Sequence, residues 1–391
     1  MKTVGIIAEY NPFHKGHKLH IEKSRKITGA DFVIVLMSGD FTQRGEPALF
    51  DKYTRARMAL LNGADLVLEL PSHYALSSAE GFASGGVSIL DRLGVVDHLS
   101  FGSECGDLPL MDRAARVLLD PDPAFDAMLK KALTEGVSYP KAVSDTLTSL
   151  HEDPSLFSGP NNILGIEYLK ALRRADSRIS PVTVEREDNG FSNEAIDQDS
   201  QYASARSIRK ALLSSEEGGA GTPVFKNYVC ENTLPLFDSP KSRIDDYSAL
   251  LYYKLLSERE KGYEEYSDVS RELSDKIRKN LRDYTTFSEF ILLLKAKNYT
   301  YVRIARALFH ILLGMHELSL PAKNIRILGF REGASALLHE IKKSPEISLI
   351  SKPADAPEDP FLQKDLECAF LYEQVNGSYR NELRTSPVLL P

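Results

Sequence analysis

Short apolar runs alternate with amphipathic segments through the first hundred residues. The apolar runs, rich in β-branched residues, predict strands at 4–9, 31–37, 64–70 and 95–101. Between them, apolar residues at helical spacing predict helices at 17–27, 51–61 and 79–93. Strand–helix–strand units of this kind are right-handed and build a parallel sheet covered by helices on both faces. The pattern therefore predicts an α/β fold.

Beyond residue 110 the pattern becomes mostly helical. Helices are expected at 161–172 and 204–213, on either side of a strand at 181–186, and then at 246–256, 267–281, 286–296 and 301–313. Residues 214–223 (SSEEGGAGTP) have the composition of a linker. We therefore expect two domains, an α/β domain over 1–220 and a mainly α-helical domain over 221–391.

The ends of the predicted strands place a candidate site. Ligands of parallel sheets bind beyond the carboxyl ends of the strands. The segments that follow the first, second and fourth strands, 10–16, 38–46 and 102–104, should therefore meet in one crevice.

The first of these segments carries the strongest chemical signal, EYNPFHKGH over residues 9–17. Pro12 turns the chain, and a helix then begins near Gly16. A helix N-terminus attracts phosphate through its free N–H groups and partial positive charge, and glycine lets the backbone approach closely. His14 and His17, three residues apart, can donate N–H bonds to the same phosphate and stabilise a transferring phosphoryl group.

Other interpretations of the two histidines remain open at this point. They could be helix caps or surface residues. A zinc site would need about three protein ligands, and no third ligand lies nearby in the sequence. We therefore expect no protein-held metal.

Composition narrows the class of protein. Apolar residues make up 42% and charged residues 26% of the 391-residue chain, as in ordinary globular proteins. The three scattered cysteines have no zinc-ribbon spacing and indicate a reducing compartment. The apolar runs are too short for a secretory signal or a membrane span. We therefore expect a cytoplasmic protein with no membrane partner.

Charge is distributed unevenly although the net charge is only −7. Residues 1–220 hold 24 basic and 31 acidic side chains, whereas 221–391 hold 24 of each. Within the second part, residues 271–306 carry nine basic and four acidic side chains. This basic segment is either a solvated helix face or a docking surface for RNA.

The motif at residues 9–17 resembles the HIGH-type motif of the nucleotidylyltransferases. Over nearly the whole chain the sequence resembles the tRNA(Met) cytidine acetate ligase family. The segments that carry this resemblance are VGIIAEYNPFHKGHKLH, MSGDFTQRGEPALFDKYTRARMALLNGADLVLELP, SAEGFASGGVSIL, GPNNILGIEYLKAL, SARSIRKAL, YTYVRIARALFHILLG and IRILGF. It implies a Rossmann-like sheet of the HIGH type, followed by a helical tRNA-binding domain.

The resemblance also implies a reaction. ATP, accompanied by Mg²⁺, and acetate would give acetyl-adenylate and pyrophosphate. The acetyl group would then pass to the wobble cytidine in the anticodon loop of elongator tRNA(Met), forming N4-acetylcytidine. The partners implied are tRNA and acetate, with no role for DNA.

Site residues follow from the same resemblance. It implies catalytic roles for His14 and His17 at the phosphates. ATP-binding roles are implied for Ile7, Ala8, Glu9, Tyr10, Asn11, Pro12, Phe13, His14, Lys15, Gly16, His17, Lys18, Leu19, His20, Gly102, Asn161, Asn162 and Arg186.

Five further residues are candidates for phosphate or substrate. Ser204 and Arg209 match the ends of an ISSTxxR-like element, but Ala205 and Arg206 depart from it. The others, Gln43, Arg44 and Glu46, follow the second strand and could hold acetate or cytidine, or could form an ordinary polar loop.

Two other functions remain as alternatives. One is an adenylyltransferase acting on a small phosphate-bearing substrate, although such an enzyme would have little need of about 170 additional helical residues. The other is a non-catalytic RNA-binding factor with a vestigial nucleotide pocket. The intact His14, Gly16 and His17 weigh against the second alternative.

Overall fold

A mixed β-sheet forms the centre of the protein. This computed structural model describes all residues except 136, 138, 150–155, 157–158, 187–195, 197–199, 217–223, 298 and 319. The strands are β1 (Thr3–Ala8), β2 (Phe32–Ser38), β3 (Phe41–Thr42), β4 (Glu46–Pro47), β5 (Leu66–Leu70), β6 (His98–Ser103), β7 (Ser180–Glu185), β8 (Asn324–Arg331), β9 (Ser348–Ile350) and β10 (Val388–Leu390). The order in the sheet is β10-β8-β5-β2-β1-β6-β7, with β9 paired to β8, while β3 and β4 form a separate hairpin.

The five strands from β5 to β7 in this order are parallel to one another, as predicted. The helices are α1 (Lys15–Thr28), α2 (Lys52–Leu61), α3 (Ser72–Ala75), α4 (Ala79–Arg92), α5 (Leu108–Leu119), α6 (Pro123–Thr134), α7 (Tyr139–Ser149), α8 (Pro160–Arg174), α9 (Ala205–Glu216), α10 (Ser248–Ser257), α11 (Arg271–Asn280), α12 (Phe287–Leu294), α13 (Tyr301–Leu313), α14 (Ser335–Ile341) and α15 (Pro360–Asn376). In the part of the chain that the structure describes, no helix is both long and apolar enough to cross a bilayer.

Alternate residues of the central strands pack on opposite faces of the sheet. In β2, Ile34 and Leu36 join the core on one face, and Val33 and Val35 join the core on the other. Such alternation is expected because successive side chains of a strand point in opposite directions. Both sets are fully buried, which explains why the run reads as continuously apolar.

The C-terminal segment forms a third core and also completes the sheet. Helices α10 to α13 and α15 contribute to this core, together with Phe41 of the β3–β4 hairpin. β8 pairs antiparallel with β5, and β10 pairs parallel with β8. None of these C-terminal strands was predicted from the pattern. The division into domains at residue 220 stays a prediction, and its predicted linker lies largely outside the described residues.

Buried ionic contacts tie the C-terminal segment to the first half of the chain. The Nζ of Lys52 lies 2.8 Å from Glu69 and 2.6 Å from Glu382, and all three side chains are almost completely buried. Glu382 also pairs with Arg326 at 2.6 Å. Asp365 of α15 accepts a hydrogen bond from the Ser72 backbone N–H at 2.6 Å. Because these partners come from distant parts of the sequence, the two halves are held in one arrangement.

Candidate functional site

A cavity opens at the carboxyl edge of the sheet, at the point where the strand order reverses. From β1 the chain first extends the sheet on the β2 side, and later on the β6 side. A parallel sheet leaves a crevice at such a switch point. Here it forms a cavity of about 390 Å³, lined by residues that follow β1, by the start of α1, and by residues of β6, β7, α8 and α9.

His14 is the N-cap of α1, an unusual role for histidine. Its Nδ1 accepts a hydrogen bond from the Gly16 N–H at 3.1 Å. A neutral imidazole that accepts through Nδ1 carries its proton on Nε2. The ring therefore caps the helix with one nitrogen and retains an N–H donor on the other. His14 is 2% exposed and lines the cavity.

His17 completes a reciprocal capping box with His14. Its Nδ1 accepts from the His14 backbone N–H at 3.3 Å, which places its own ring proton on Nε2. The two ring centroids are 3.6 Å apart. Burial, with added repulsion from His14 and Arg186, lowers the pKa of His17 well below its usual range. His17 is therefore neutral at pH 7, and it is a hydrogen-bond donor rather than a positive charge.

A side chain at position 16 would clash with His14, and it would also hinder the approach of a ligand to the backbone. A Cβ at this position would lie 2.9 Å from Cε1 and 3.1 Å from Nδ1 of His14. A larger residue would therefore displace the capping imidazole.

The strands β6 and β7 form the second wall of the cavity. At Gly102 the first atom that a Cβ would meet belongs to the Arg186 side chain, at 3.4 Å. The guanidinium of Arg186 donates to the Asn161 side chain at 3.4 Å. Asn161 also donates to Glu104 at 2.7 Å, so Glu104 holds the amide in place and caps the start of α8.

Helix α9 and the loop between β2 and α2 supply further positive charge. Ser204 caps α9 by accepting from the Ser207 N–H at 3.1 Å. Arg209 donates to the Asn11 carbonyl at 2.6 Å and pairs with Glu46 at 3.3 Å. Burial lowers the pKa of the Arg44 guanidinium, which lies near Glu9 and Arg209. Four arginines (Arg44, Arg186, Arg206 and Arg209) and two carboxylates (Glu9 and Glu185) line the cavity. This excess of positive charge suits a polyphosphate.

Most of the predicted site residues meet at this cavity. Those that line it are Ile7, Ala8, Glu9, Tyr10, Asn11, His14, Gly16, His17, Leu19, His20, Gln43, Arg44, Gly102, Asn161, Arg186, Ser204 and Arg209. His20 is held by Ser100, with Nε2 and Oγ 3.2 Å apart, and its pKa falls to about 4 because it is buried and faces Arg186.

The structure places the other predicted residues outside the cavity lining, for identifiable reasons. Phe13 is fully buried in the core beside Tyr10. Asn162 turns away because its side-chain oxygen accepts from the Glu104 and Cys105 N–H groups. Lys15 and Lys18 face a neighbouring groove. Pro12 forms a cis peptide with Asn11, and Glu46 binds Arg209 at the rim.

Several lining residues were not predicted, among them Phe82, Leu164, Tyr168, Tyr202 and Arg206. One signal for two of them was present in the sequence. Leu164 and Tyr168 follow Asn161 by three and seven residues, the spacing that places residues on one helix face.

No group of three or more His, Cys, Asp or Glu side chains is arranged to hold a metal ion within the residues that the structure describes. These side chains therefore do not fit a metal held by the protein alone. A metal that arrives with a nucleotide can instead be held by phosphate oxygens and water.

Comparisons with known proteins agree with this geometry. The profile of the HIGH Nucleotidyl Transferase family matches residues 1–386. The tRNA(Met) cytidine acetate ligase of Clostridium perfringens strain SM101 is 38% identical over 408 residues, covering all of both chains. The ligase of the same name from Caldanaerobacter subterraneus is 40% identical, covering 90% of this chain and 89% of its own length.

Solved structures agree as well. The crystal structure of Thermotoga maritima TmcAL bound with alpha-thio ATP superimposes with a TM-score of 0.87 at 26% identity, covering all of both chains. The apo form of that protein gives a TM-score of 0.90.

Proposed function

Because this chain belongs to the tRNA(Met) cytidine acetate ligase family of HIGH nucleotidyl transferases, we propose that it activates acetate with ATP and acetylates the wobble cytidine of elongator tRNA(Met). The observation that carries this proposal is the meeting of His14, Gly16 and His17 with four arginines at the switch point of the sheet. Acetyl-adenylate would be the intermediate between the two steps.

In the first step, an acetate oxygen would attack the α-phosphorus of ATP while the bond to pyrophosphate breaks. The Nε2–H groups of His14 and His17 would donate to phosphate oxygens without becoming nucleophiles. Arg186 and Arg209 would neutralise developing negative charge, and Gly102 and Asn161 would lie against the nucleoside. Catalysis of this kind depends on positioning and electrostatic stabilisation rather than on a covalent enzyme intermediate.

We propose that Mg²⁺ enters with ATP, held by phosphate oxygens and water. Two observations support this proposal. The described residues lack a cluster of side chains that could bind a metal, and Mg²⁺ commonly binds to proteins through the phosphates of a substrate. Bound there, it would add positive charge at the phosphates.

In the second step, the basic segment at 271–306 would help dock the tRNA. Wobble bases lie in a single-stranded loop that a protein can open and read. Contacts within the protein reduce the number of residues in this segment that can bind RNA. Tyr299 is buried and its hydroxyl is hydrogen-bonded to Ser270 at 2.7 Å, and Arg306 pairs with Asp268 at 3.1 Å. Arg303, exposed on α13, therefore remains a candidate for contact with RNA.

The test is ATP–pyrophosphate exchange by the purified protein with a panel of acceptors. Acetate should support exchange, whereas phosphate-bearing acceptors such as pantetheine phosphate should not. Exchange that requires a phosphomonoester instead of acetate would establish the adenylyltransferase alternative. Absence of exchange with every acceptor, in a protein that still binds tRNA, would favour the non-catalytic alternative.

A further inference from the structure

Glu9 occupies a distinctive position for a carboxylate. It follows β1 directly, and it lines the cavity together with the two histidines. Its Oε1 accepts the Gln43 backbone N–H at 2.8 Å, which fixes the carboxylate, and its second oxygen has no hydrogen bond from the residues that the structure describes. Its own backbone carbonyl accepts from the fully buried Arg55 at 2.6 Å. Both ends of the residue are therefore held in place.

Tyr168 lines the same cavity, near enough to Glu9 for that carboxylate to influence its pKa. The residue is 2% exposed, lines the cavity, and packs against Phe101 with ring centroids 5.6 Å apart. Its hydroxyl is buried and has no hydrogen-bond partner within the described part of the chain. A buried hydroxyl without a partner is costly. Because Tyr168 lines the cavity, a substrate atom bound there can accept a hydrogen bond from this hydroxyl. Burial, together with the nearby Glu9, raises the pKa of Tyr168, so the hydroxyl keeps its proton.

This part of the cavity faces the C-terminal helices. Gln43, which binds Glu9, belongs to the loop between β3 and β4, and the loop packs against α13 so closely that a Cβ on Gly45 would collide with the backbone of Ala305 and Arg306. At the same rim, Tyr301 of α13 is close enough to Glu46 and Arg206 for both to influence its pKa. Glu9 therefore lies on the side from which RNA bound to the helices would enter.

The charges and hydrogen-bonding groups of the substrates indicate which of them Glu9 can bind. ATP and acetate are anions, which a carboxylate repels, so this assignment differs from the ATP-binding role that the resemblance implies for Glu9. The N4 amine of cytidine is neutral and has two N–H donors, and carboxylates are the side chains that accept from it. Resting on the proposed function, we propose that Glu9 receives the N4 amine and accepts its proton during acetyl transfer, while the Tyr168 hydroxyl donates to the acetyl carbonyl oxygen.

Acetyl transfer begins at the N4 amine of the cytidine. The N4 lone pair attacks the carbonyl carbon of acetyl-adenylate and forms the C–N bond. The carbonyl oxygen gains negative charge, which the Tyr168 hydroxyl stabilises. The bond from carbon to the phosphate oxygen then breaks, and AMP leaves with that electron pair. The proton lost by N4 moves to Glu9, which later releases it to solvent.

The experiment measures the two steps separately. Glu9→Gln retains the shape of the side chain and removes the proton acceptor, so acetyl transfer should fall much further than acetate-dependent exchange. Acetyl transfer from preformed acetyl-adenylate to tRNA should fall about 100-fold, as for loss of a general base. Tyr168→Phe, which removes one hydrogen-bond donor, should lower transfer about tenfold and lower exchange less than transfer. Glu340→Gln, on α14 and outside the cavity lining, is the matched control and should leave both steps unchanged.

The possible outcomes separate the hypotheses. Parallel loss of exchange and transfer in Glu9→Gln would make Glu9 part of the ATP site and overturn the inference. Unchanged transfer would also overturn it. Wild-type protein is assayed first, and failure of acetate to support its exchange would refute the proposed function itself, a result distinct from either failure of the variant.

Discussion

Replacing His14 tests its observed role as the N-cap of α1 and its proposed role as a hydrogen-bond donor to phosphate. In His14→Ala, α1 loses the hydrogen bond from the Gly16 N–H, which is 3.1 Å long. Loss of an N-cap costs about 1 kcal/mol, and a typical domain is stable by about 5–15 kcal/mol, so the variant should remain folded. It also loses the Nε2–H donor at the cavity. Removal of one such donor lowers catalysis about 10²–10³-fold.

His14→Asn separates these two effects. Asparagine is among the best N-caps, so the free energy of unfolding, measured with urea, should return to near the wild-type value. Its side chain is shorter than imidazole, and the donor at the position of Nε2 is still absent. Acetate-dependent exchange should therefore stay as low as in His14→Ala. Full exchange in either folded variant would refute the assignment of His14 to the phosphates, and recovery of exchange in step with stability would show that His14 acts only as a cap.

Substitutions at Gly16 and Asp365 test two other features of the structure. Gly16→Ala places a Cβ 2.9 Å from the His14 ring, so exchange should fall at least about tenfold. Gly333→Ala, where a Cβ meets nothing within 4 Å, should leave exchange unchanged, and equal effects of the two would contradict this reasoning. Burial, together with Glu69, raises the pKa of Asp365 to about 8, above the ordinary unfolded value of about 3.9. The native state therefore binds the extra proton, and the free energy of unfolding from this group falls as pH rises from about 4 to about 8. Asp365→Asn should gain stability relative to wild type between pH 6 and pH 9 in urea titrations, and a constant difference would exclude the proposed titration.

The sequence predicts the parallel part of the sheet well because its strands are buried on both faces. Residues such as Val33 and Ile34 produce an unbroken apolar run that only a central strand explains. β9 and β10 are three residues long and pair with β8 at the edge of the sheet. Their pattern is too short to separate from the surrounding helices, and β8 depends on a partner, β5, more than 250 residues away.

Part of the candidate site could likewise be predicted from the sequence, and part could not. His14, Gly16 and His17 are adjacent in sequence, so their meeting requires only a strand and a helix start. Helix capping was one of the open interpretations of His14, but the sequence could not favour it, because an imidazole seldom replaces the usual small polar caps. The arrangement of Glu9, Gln43 and Tyr168 depends on tertiary contacts between separate elements, which local patterns do not encode.

The central claim is that one protein activates acetate and delivers it to a wobble base. The most direct measurement is mass spectrometry of nucleosides from elongator tRNA(Met) after incubation with the purified protein, ATP and ¹³C-labelled acetate. We predict labelled N4-acetylcytidine at the wobble position, formed only when ATP is present. Consumption of ATP and acetate without a label on that cytidine would contradict the account.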